Sequence, residues 1–403
     1  MKVLFVPLPE GGAAHLIPLL ALNQLLANTK IETAFLVPRS MQEFLRQFGV
    51  QVVDIDNRRY TQNGLRTEMR AYKKFNPDVV VDDANPGTGL ASALARVPRV
   101  AIQRTGMFPG GEPRNKNLRH SMAHSELRDL PDVTFLGLPQ PKTFTDFFKA
   151  EMKIVPGIRS IELLPAHLQD DETYVFSGPL LLEDFMMGEV GLSSLKDLDK
   201  SLKINRFKDF GPLRQFFEAH RNGPIIYATF GTHAEVFGPL QEALRYLLDN
   251  GVAVVSSISI PDLSNAQREA YYYANYLPMH FVCSNVDLMI HQCGSGTYHY
   301  PILHGLPTIT VGSGCHDRED VGERLMELGV SLHLPGPGEQ IDFRERFKAA
   351  IDQYLTDPSG FLPEREKKLR ELNREIQETS AGFNFAEVLY SAIERAASCV
   401  SQT

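Results

Sequence analysis

Residues 287–334 read DLMIHQCGSGTYHYPILHGLPTITVGSGCHDREDVGERLMELGVSLHL. Leu288 to Ile290 and Thr308 to Val311 are short apolar or β-branched runs, as strands buried on both faces require. Between them, His291-Gln292-Cys293-Gly294-Ser295-Gly296-Thr297 is a glycine-rich turn that precedes a helical segment. Strand, turn, helix, strand is the rhythm of a parallel sheet covered by helices.

Working outward, the rhythm continues upstream. Ile225 to Thr229 runs into Phe230-Gly231-Thr232 and a helix over Pro239 to Asp249, and Val252 to Ser256 and His280 to Cys283 read as further strands. The first half repeats it. Met1 to Pro9 is apolar, Gly11-Gly12 makes a tight turn, and Ala14 to Leu26 has helical spacing. Ile31 to Val37, Val50 to Ile55, Asp78 to Val81 and Arg99 to Gln103 read as strands, the last two separated by a helix over Thr88 to Arg96. The expected fold class is α/β, with two Rossmann-like halves. Gly106 to Leu164 breaks the pattern and reads as loops and helices lining a cleft, with Phe144, Phe147 and Phe148 suited to an acceptor. The expected division is an N-terminal domain over 1–180, a linker over 181–212, a C-terminal domain over 213–385, and a last helix over 386–403 packing back on the first domain.

The 403 residues suit two domains, and 43% apolar with 22% charged residues is ordinary globular composition. A net charge of −8 without any Lys/Arg block excludes a nucleic-acid or anionic-membrane surface. No stretch approaches the ~18 apolar residues of a membrane span. Cys283, Cys293, Cys315 and Cys399 show no ligand spacing and read as free thiols in a reducing compartment. MKVLFVPLPEGG lacks the form of a signal peptide, so the expected location is cytoplasmic. Both a monomer and a homodimer are left open.

In an acidic chain an anion must be held by backbone amides and helix ends, and the two turns at Gly231-Thr232 and at Gly294, Ser295, Gly296 and Thr297 offer them, with hydroxyl donors from Ser295 and Thr297. A diphosphate is the expected ligand.

The stretch from Asp287 to Leu334 resembles the donor-binding signature of family 1 glycosyltransferases, which have the GT-B fold. Gly294, Gly296, Thr297, Gly305, Pro307, Asp317, Arg324 and Gly329 fall in the family's order. Gly178-Pro179 resembles its interdomain pair, Phe230-Gly231-Thr232 its phosphate loop, and Gly11-Gly12-Ala13-Ala14-His15-Leu16-Ile17-Pro18 its first-turn motif. The resemblance implies two Rossmann-like domains facing across a cleft and an inverting transfer of sugar from a UDP or dTDP donor to a hydroxyl of a small, hydrophobic acceptor. It implies that His15 is the general base, a role that suits an imidazole near neutral pH. Either Asp82 or Asp83 orients it, and because strand neighbours point to opposite faces the other is a solvated strand-end residue. Asp317 is implied to bind the donor sugar and Tyr276 to stack on the base.

Three positions depart from the family's pattern. Gln292 stands where a phosphate-binding histidine is expected, one place after His291, and either residue could meet a phosphate. Arg318 replaces a glutamine, and Tyr300 occupies the ribose-glutamate position of plant enzymes. A deoxysugar donor on dTDP or UDP fits these changes, which are more like bacterial natural-product enzymes. No DxD-type pair is placed for a metal, so no cofactor or metal is expected, helix ends neutralising the leaving diphosphate instead. A degenerate non-catalytic partner and a sugar-nucleotide epimerase or hydrolase are the competing readings. A nicotinamide dehydrogenase is excluded because PEGGAAHL is not GxGxxG.

Overall fold

The computed structural model of the chain describes residues 1–8, 13–38, 41–42, 45, 49–53, 64–83, 85–114, 133–134, 137–138, 140–182, 210–230, 237–274, 277–334 and 343–400. The chain divides into two compact units, one of Met1–Glu112, Ser121–Phe185 and Ile376–Thr403, the other of Pro113–His120 and Met186–Glu375.

The first unit holds β1 (Lys2–Pro7), β2 (Glu32–Phe35), β3 (Val79–Asp83), β4 (Arg99–Ile102), β5 (Met152–Val155) and β6 (Tyr174–Phe176), in the spatial order β2-β1-β3-β4-β5-β6. Every pairing is parallel. β3 reads Val79-Val80-Val81-Asp82-Asp83 with all five residues buried, which helices on both faces make possible. Leu4, Val6, Ala34, Leu36 and Val80 pack on one face against Ala71, Tyr72 and Phe75 of the helix Leu65–Phe75. The helix Phe385–Val400 lies in this unit, with the Phe385 ring 6.2 Å from Phe5. Gly178 takes φ +69°, and a Cβ there would collide with Ser380 of the helix Arg365–Gly382. Glycine is therefore required twice over, by its left-handed backbone and by the close approach.

The second unit repeats the plan with β7 (Ile225–Thr229), β8 (Ala253–Ser256), β9 (Tyr271–Tyr273), β10 (Leu288–His291), β11 (Thr308–Val311) and β12 (Ser331–Leu334), ordered β12-β11-β10-β7-β8-β9 and all parallel. Two apolar clusters cover its faces, one around Ile226, Val254, Ile290 and Ile309, the other around Tyr227, Val255 and Met289.

In each sheet the chain starts in the middle and winds outward in both directions. β2 lies to one side of β1 and β3 to the other; β8 lies to one side of β7 and β10 to the other. Such a reversal leaves a crevice at the carboxyl ends of the two strands that flank it, where open α/β sheets bind ligands. The two crevices lie at β1/β3 and at β7/β10.

Four expectations are corrected. His280 to Cys283 is not a strand: Met279–Cys283 is a short helix capped by Pro278, and the strand beyond β8 is β9, a tyrosine run. Short apolar runs carry no period that separates helix from strand. The segment Gly106 to Leu164, read as loops and helices, contains β5, whose Lys153 interrupts the apolar run by reaching Thr173 (2.8 Å). In the Val50 to Ile55 run, only a bridge from Val52 to Phe35 forms among the described residues. Phe147 and Phe148 are core residues, not an exposed aromatic lining. The side chain of Phe144, Gly231, Thr232 and Tyr276, and most of the expected linker, lie outside the described residues. No helix among them is long and apolar enough to cross a membrane.

Candidate active site

At the first crevice, the helix Ala13–Leu25 follows β1 and carries His15 in its opening turn. Pro7 and Asp83 are register partners at the ends of β1 and β3, which brings Asp83 beside that turn. His15 Nδ1 lies 3.1 Å from Asp83 Oδ1. Arg104, just beyond β4, grips the same carboxylate with both terminal nitrogens, at 2.5 Å to Oδ1 and 2.5 Å to Oδ2. Asp83 is fully buried. Burial pushes its carboxyl up, but Arg104 and then His15 outweigh that and hold it below the ordinary value. An ionised carboxylate only accepts hydrogen bonds, so His15 donates through Nδ1–H, which makes Nε2 the acceptor of the neutral ring.

Asp82, the other candidate, points to the opposite face. Arg99 Nε and Nη2 bind it at 2.7 and 3.0 Å, and the Asn85 amide donates at 3.1 Å. It is fully buried rather than the solvated strand-end residue expected. The reason is local. Asn85 caps the helix Pro86–Ala95 by accepting from Gly87 N, with Pro86 at its start, and this turn folds back over Asp82. Arg99 also donates to the carbonyls of Phe147 and Lys149. Behind it, Glu68 sits among Thr88 (3.1 Å), Asn85 and Tyr72 (3.4 Å each), and its burial raises its carboxyl to about 8. This cluster builds the strand end; it does not touch His15.

At the second crevice, β10 ends in His291 and the chain turns through Gln292 to Thr297. His291 is fully buried, and its Nδ1 accepts from Cys293 N (3.1 Å). The proton is therefore on Nε2. Burial, and then the neighbouring His333, lower its value to about 3, so the ring stays neutral. Cys293 takes a left-handed backbone (φ 56°), which costs a non-glycine residue about 1 kcal/mol and swings the turn off the strand axis. Gly294 and Ser295 are half-buried and Gly296 is exposed, with open space where its Cβ would stand. Thr297 N closes the turn on Gly294 O (2.7 Å). The helix that follows, His299–His304, has only six residues, so the expected helix-end dipole is short. His299 Nδ1 donates to Ser295 O (3.0 Å).

Past β11, Glu319 anchors the next turn. It accepts from Gly314 N (2.7 Å) and meets His333 Nε2 at 3.0 Å, while His333 Nδ1 lies 2.9 Å from Thr310 Oγ1. A Cβ at Gly312 would strike this carboxylate. The turn delivers the helix His316–Glu327, whose first turn carries Asp317 and Arg318, both half-buried. Cys315 occupies the position before the helix, without a side-chain cap.

The second crevice gathers several polar atoms without partners. Among the described residues, His291 Nε2, Gln292 Oε1, His299 Nε2, Ser313 Oγ and Arg318 Nη1 are buried with no hydrogen-bond partner. Buried polar atoms are ordinarily paired. These five lie on the turns that follow β10 and β11 and on the helices that leave them, where a ligand would supply donors and acceptors. Of the residues expected to bind the donor, His291, Gln292, Gly294, Ser295, Gly296, Thr297, Asp317 and Arg318 are all on those segments. No group of three or more His, Cys, Asp or Glu side chains among the described residues is arranged to hold a metal ion. Arg104, His299, Ser313 and Glu319 were not anticipated from the sequence. Arg104 carried no local signal; the others sit within or beside glycine turns where a polar residue is unremarkable.

No protein-family model matches the chain. It superposes over 98% of its length on 98% of the glycosyltransferase of kitacinnamycin, with a TM-score of 0.67 and 16% identity. The fold is GT-B. A second GT-B structure, spinosyn rhamnosyltransferase SpnG complexed with thymidine diphosphate, matches over 94% of this chain and 98% of that one, with a TM-score of 0.60 and 18% identity. In sequence, the chain is 25% identical over 147 residues to 4'-demethylrebeccamycin synthase of Lentzea aerocolonigenes, a stretch covering 36% of this chain and 35% of that protein. The two structures share the architecture of this chain; their activities are their own.

Proposed function

We propose that the chain is an inverting glycosyltransferase that moves a sugar from a nucleotide-diphosphate donor, UDP or dTDP, to a hydroxyl of a small, hydrophobic acceptor without a metal. The observation that carries the proposal is that one unit holds an oriented imidazole at its switch point and that the other holds a set of unpartnered buried polar atoms at its own. His15 Nε2 takes the proton of the acceptor hydroxyl as its oxygen attacks the anomeric carbon, and Asp83 stabilises the imidazolium that forms. The bond from that carbon to the diphosphate oxygen breaks in the same displacement, so the configuration inverts. A retaining route through a glycosyl-enzyme would need a free carboxylate at the site. Asp83 is buried with both oxygens engaged by Arg104, which supports direct displacement. The diphosphate's charge is met by Arg318, the His291 Nε2–H and the amides around Gly294 and Gly296. The thymidine diphosphate bound to SpnG and the Arg318 departure support a dTDP-linked deoxysugar as donor.

The test is release of nucleoside diphosphate from a panel of UDP- and dTDP-sugars, with EDTA present, with and without hydrophobic acceptors. Acceptor-dependent release with inverted product supports the reading. Release that ignores the acceptor makes the chain a hydrolase, and binding without release makes it a non-catalytic partner.

A further inference from the structure

The carboxylate that orients His15 is itself held. Asp83 Oδ1 accepts from Arg104 Nη1 at 2.5 Å and from His15 Nδ1 at 3.1 Å, and Oδ2 accepts from Arg104 Nη2 at 2.5 Å. The guanidinium makes the shorter bonds, in the planar fork that fixes a carboxylate's rotation. The grip is built by the sheet. Asp83 pairs in register with Ile102 at the end of β4, two residues before Arg104. Thr105 then donates from both N (2.8 Å) and Oγ1 (2.5 Å) to buried Glu162, pinning the backbone that carries the guanidinium.

We infer that Arg104 is a positioning residue: by clamping both oxygens of Asp83 it fixes the carboxylate that orients His15 and tempers that carboxylate's pull on the imidazolium. This rests on the reading of His15 as the base. Unclamped, a buried aspartate one hydrogen bond from an imidazole favours the protonated ring strongly. A ring that is already protonated cannot accept the acceptor's proton. With a guanidinium sharing the carboxylate, His15 keeps its orientation while part of the Asp83 charge is spent on Arg104. Among the described residues, the charged groups that bear on it are Asp83 from β3 and Arg104 from the segment after β4. On the far face of the sheet Asp82 is bound by Arg99, and Glu68 by Thr88, Asn85 and Tyr72, while Glu162 is engaged by Thr105.

The experiment uses the full chain with Arg104→Met, Arg104→Lys, Asp83→Asn and the Asp83→Asn/Arg104→Met double variant, each checked for a cooperative melt. The His15 imidazole is titrated by NMR in the free protein, and kcat and KM are measured across pH. In Arg104→Met the His15 midpoint and the acid limb of kcat/KM both move to higher pH by about one unit. At neutral pH kcat falls about 10-fold while both KM values stay within about 3-fold. Arg104→Lys restores the charge but not the fork, so the midpoint returns towards that of the wild type while kcat remains low. In the Asp83→Asn background, removing Arg104 adds less than about 2-fold, because it acts through Asp83. An unmoved midpoint, a raised KM with unchanged kcat, or additive losses overturn the inference. If Arg104→Met does not fold, Arg104→Lys and Asp83→Asn carry the test. The titration needs no transfer activity, so a shifted midpoint in a chain that transfers nothing defeats the functional reading and leaves the clamp standing.

Discussion

At the carboxyl ends of β1 and β3, His15 and Arg104 meet on the Asp83 carboxylate and Gln103 Oε1 nearby has no partner, whereas around β10 and β11 five polar side chains each carry a buried atom with no partner among the described residues. Both places arise from the same winding of a parallel sheet, so backbone topology does not account for the difference. Chemistry does. A base must be oriented and kept in one protonation state before substrate arrives, which favours a closed hydrogen-bonded set. A binding surface for a charged ligand needs donors and acceptors left over. Each buried unsatisfied group costs about 1–3 kcal/mol, so holding five in one region is tolerable where a ligand satisfies them. The neutrality of His291 fits the same division: with a value near 3 it donates through Nε2–H without responding to pH.

The first way to break this contrast is to disarm the closed site. His15→Ala is expected to lower turnover about 100-fold or more, with donor affinity unchanged, measured by steady-state kinetics and calorimetry. If donor binding collapses with turnover, the two sites are not divided as described. Next is the scaffold of the binding site. Glu319→Ala strands Gly314 N and His333, both buried, and is expected to destabilise the fold by about 2–4 kcal/mol in denaturant melts and to weaken nucleotide binding with it. A loss confined to binding, with unchanged stability, would make Glu319 a ligand contact instead.

How far the sequence discloses such features depends on how local they are. The β-branched runs of β3, β7, β10 and β11 reveal the parallel sheets because burial on both faces leaves a continuous apolar signature. His15 and the turn from His291 to Thr297 are legible because a glycine turn after a strand is a short-range pattern. The choice between Asp82 and Asp83 is not, since it depends on where a bend after β3 sends each side chain, and on arginines 17 and 21 residues away. Arg104 is silent for the same reason. The His280 to Cys283 segment misleads because so short a run fits a helix as well as a strand, and Pro278 merely occupies the position where the helix begins.

A pH-dependent effect sharpens the contrast from the far face of β3. Glu68, raised to about 8 by burial, is protonated at neutral pH in the folded chain. Because the folded value lies above the ordinary 4.5, the stability it lends is complete below about pH 4.5 and is lost as pH rises towards 8. Glu68→Gln keeps the shape without the titration, so its stability relative to the wild type should rise over that window, by about 1.4 kcal/mol per pH unit at most. Parallel pH profiles of the two melts would show that Glu68 does not titrate there.

The measurement that bears most directly on the division of labour is calorimetric binding of dTDP and UDP, in EDTA, to the wild type, His15→Ala and Arg318→Met. The account predicts that His15→Ala binds within about 3-fold of the wild type and that Arg318→Met binds about 10-fold or more weakly, as loss of a charge-assisted hydrogen bond implies. Wild-type binding that vanishes in EDTA, or Arg318→Met binding as tightly as the wild type while His15→Ala does not, would contradict it.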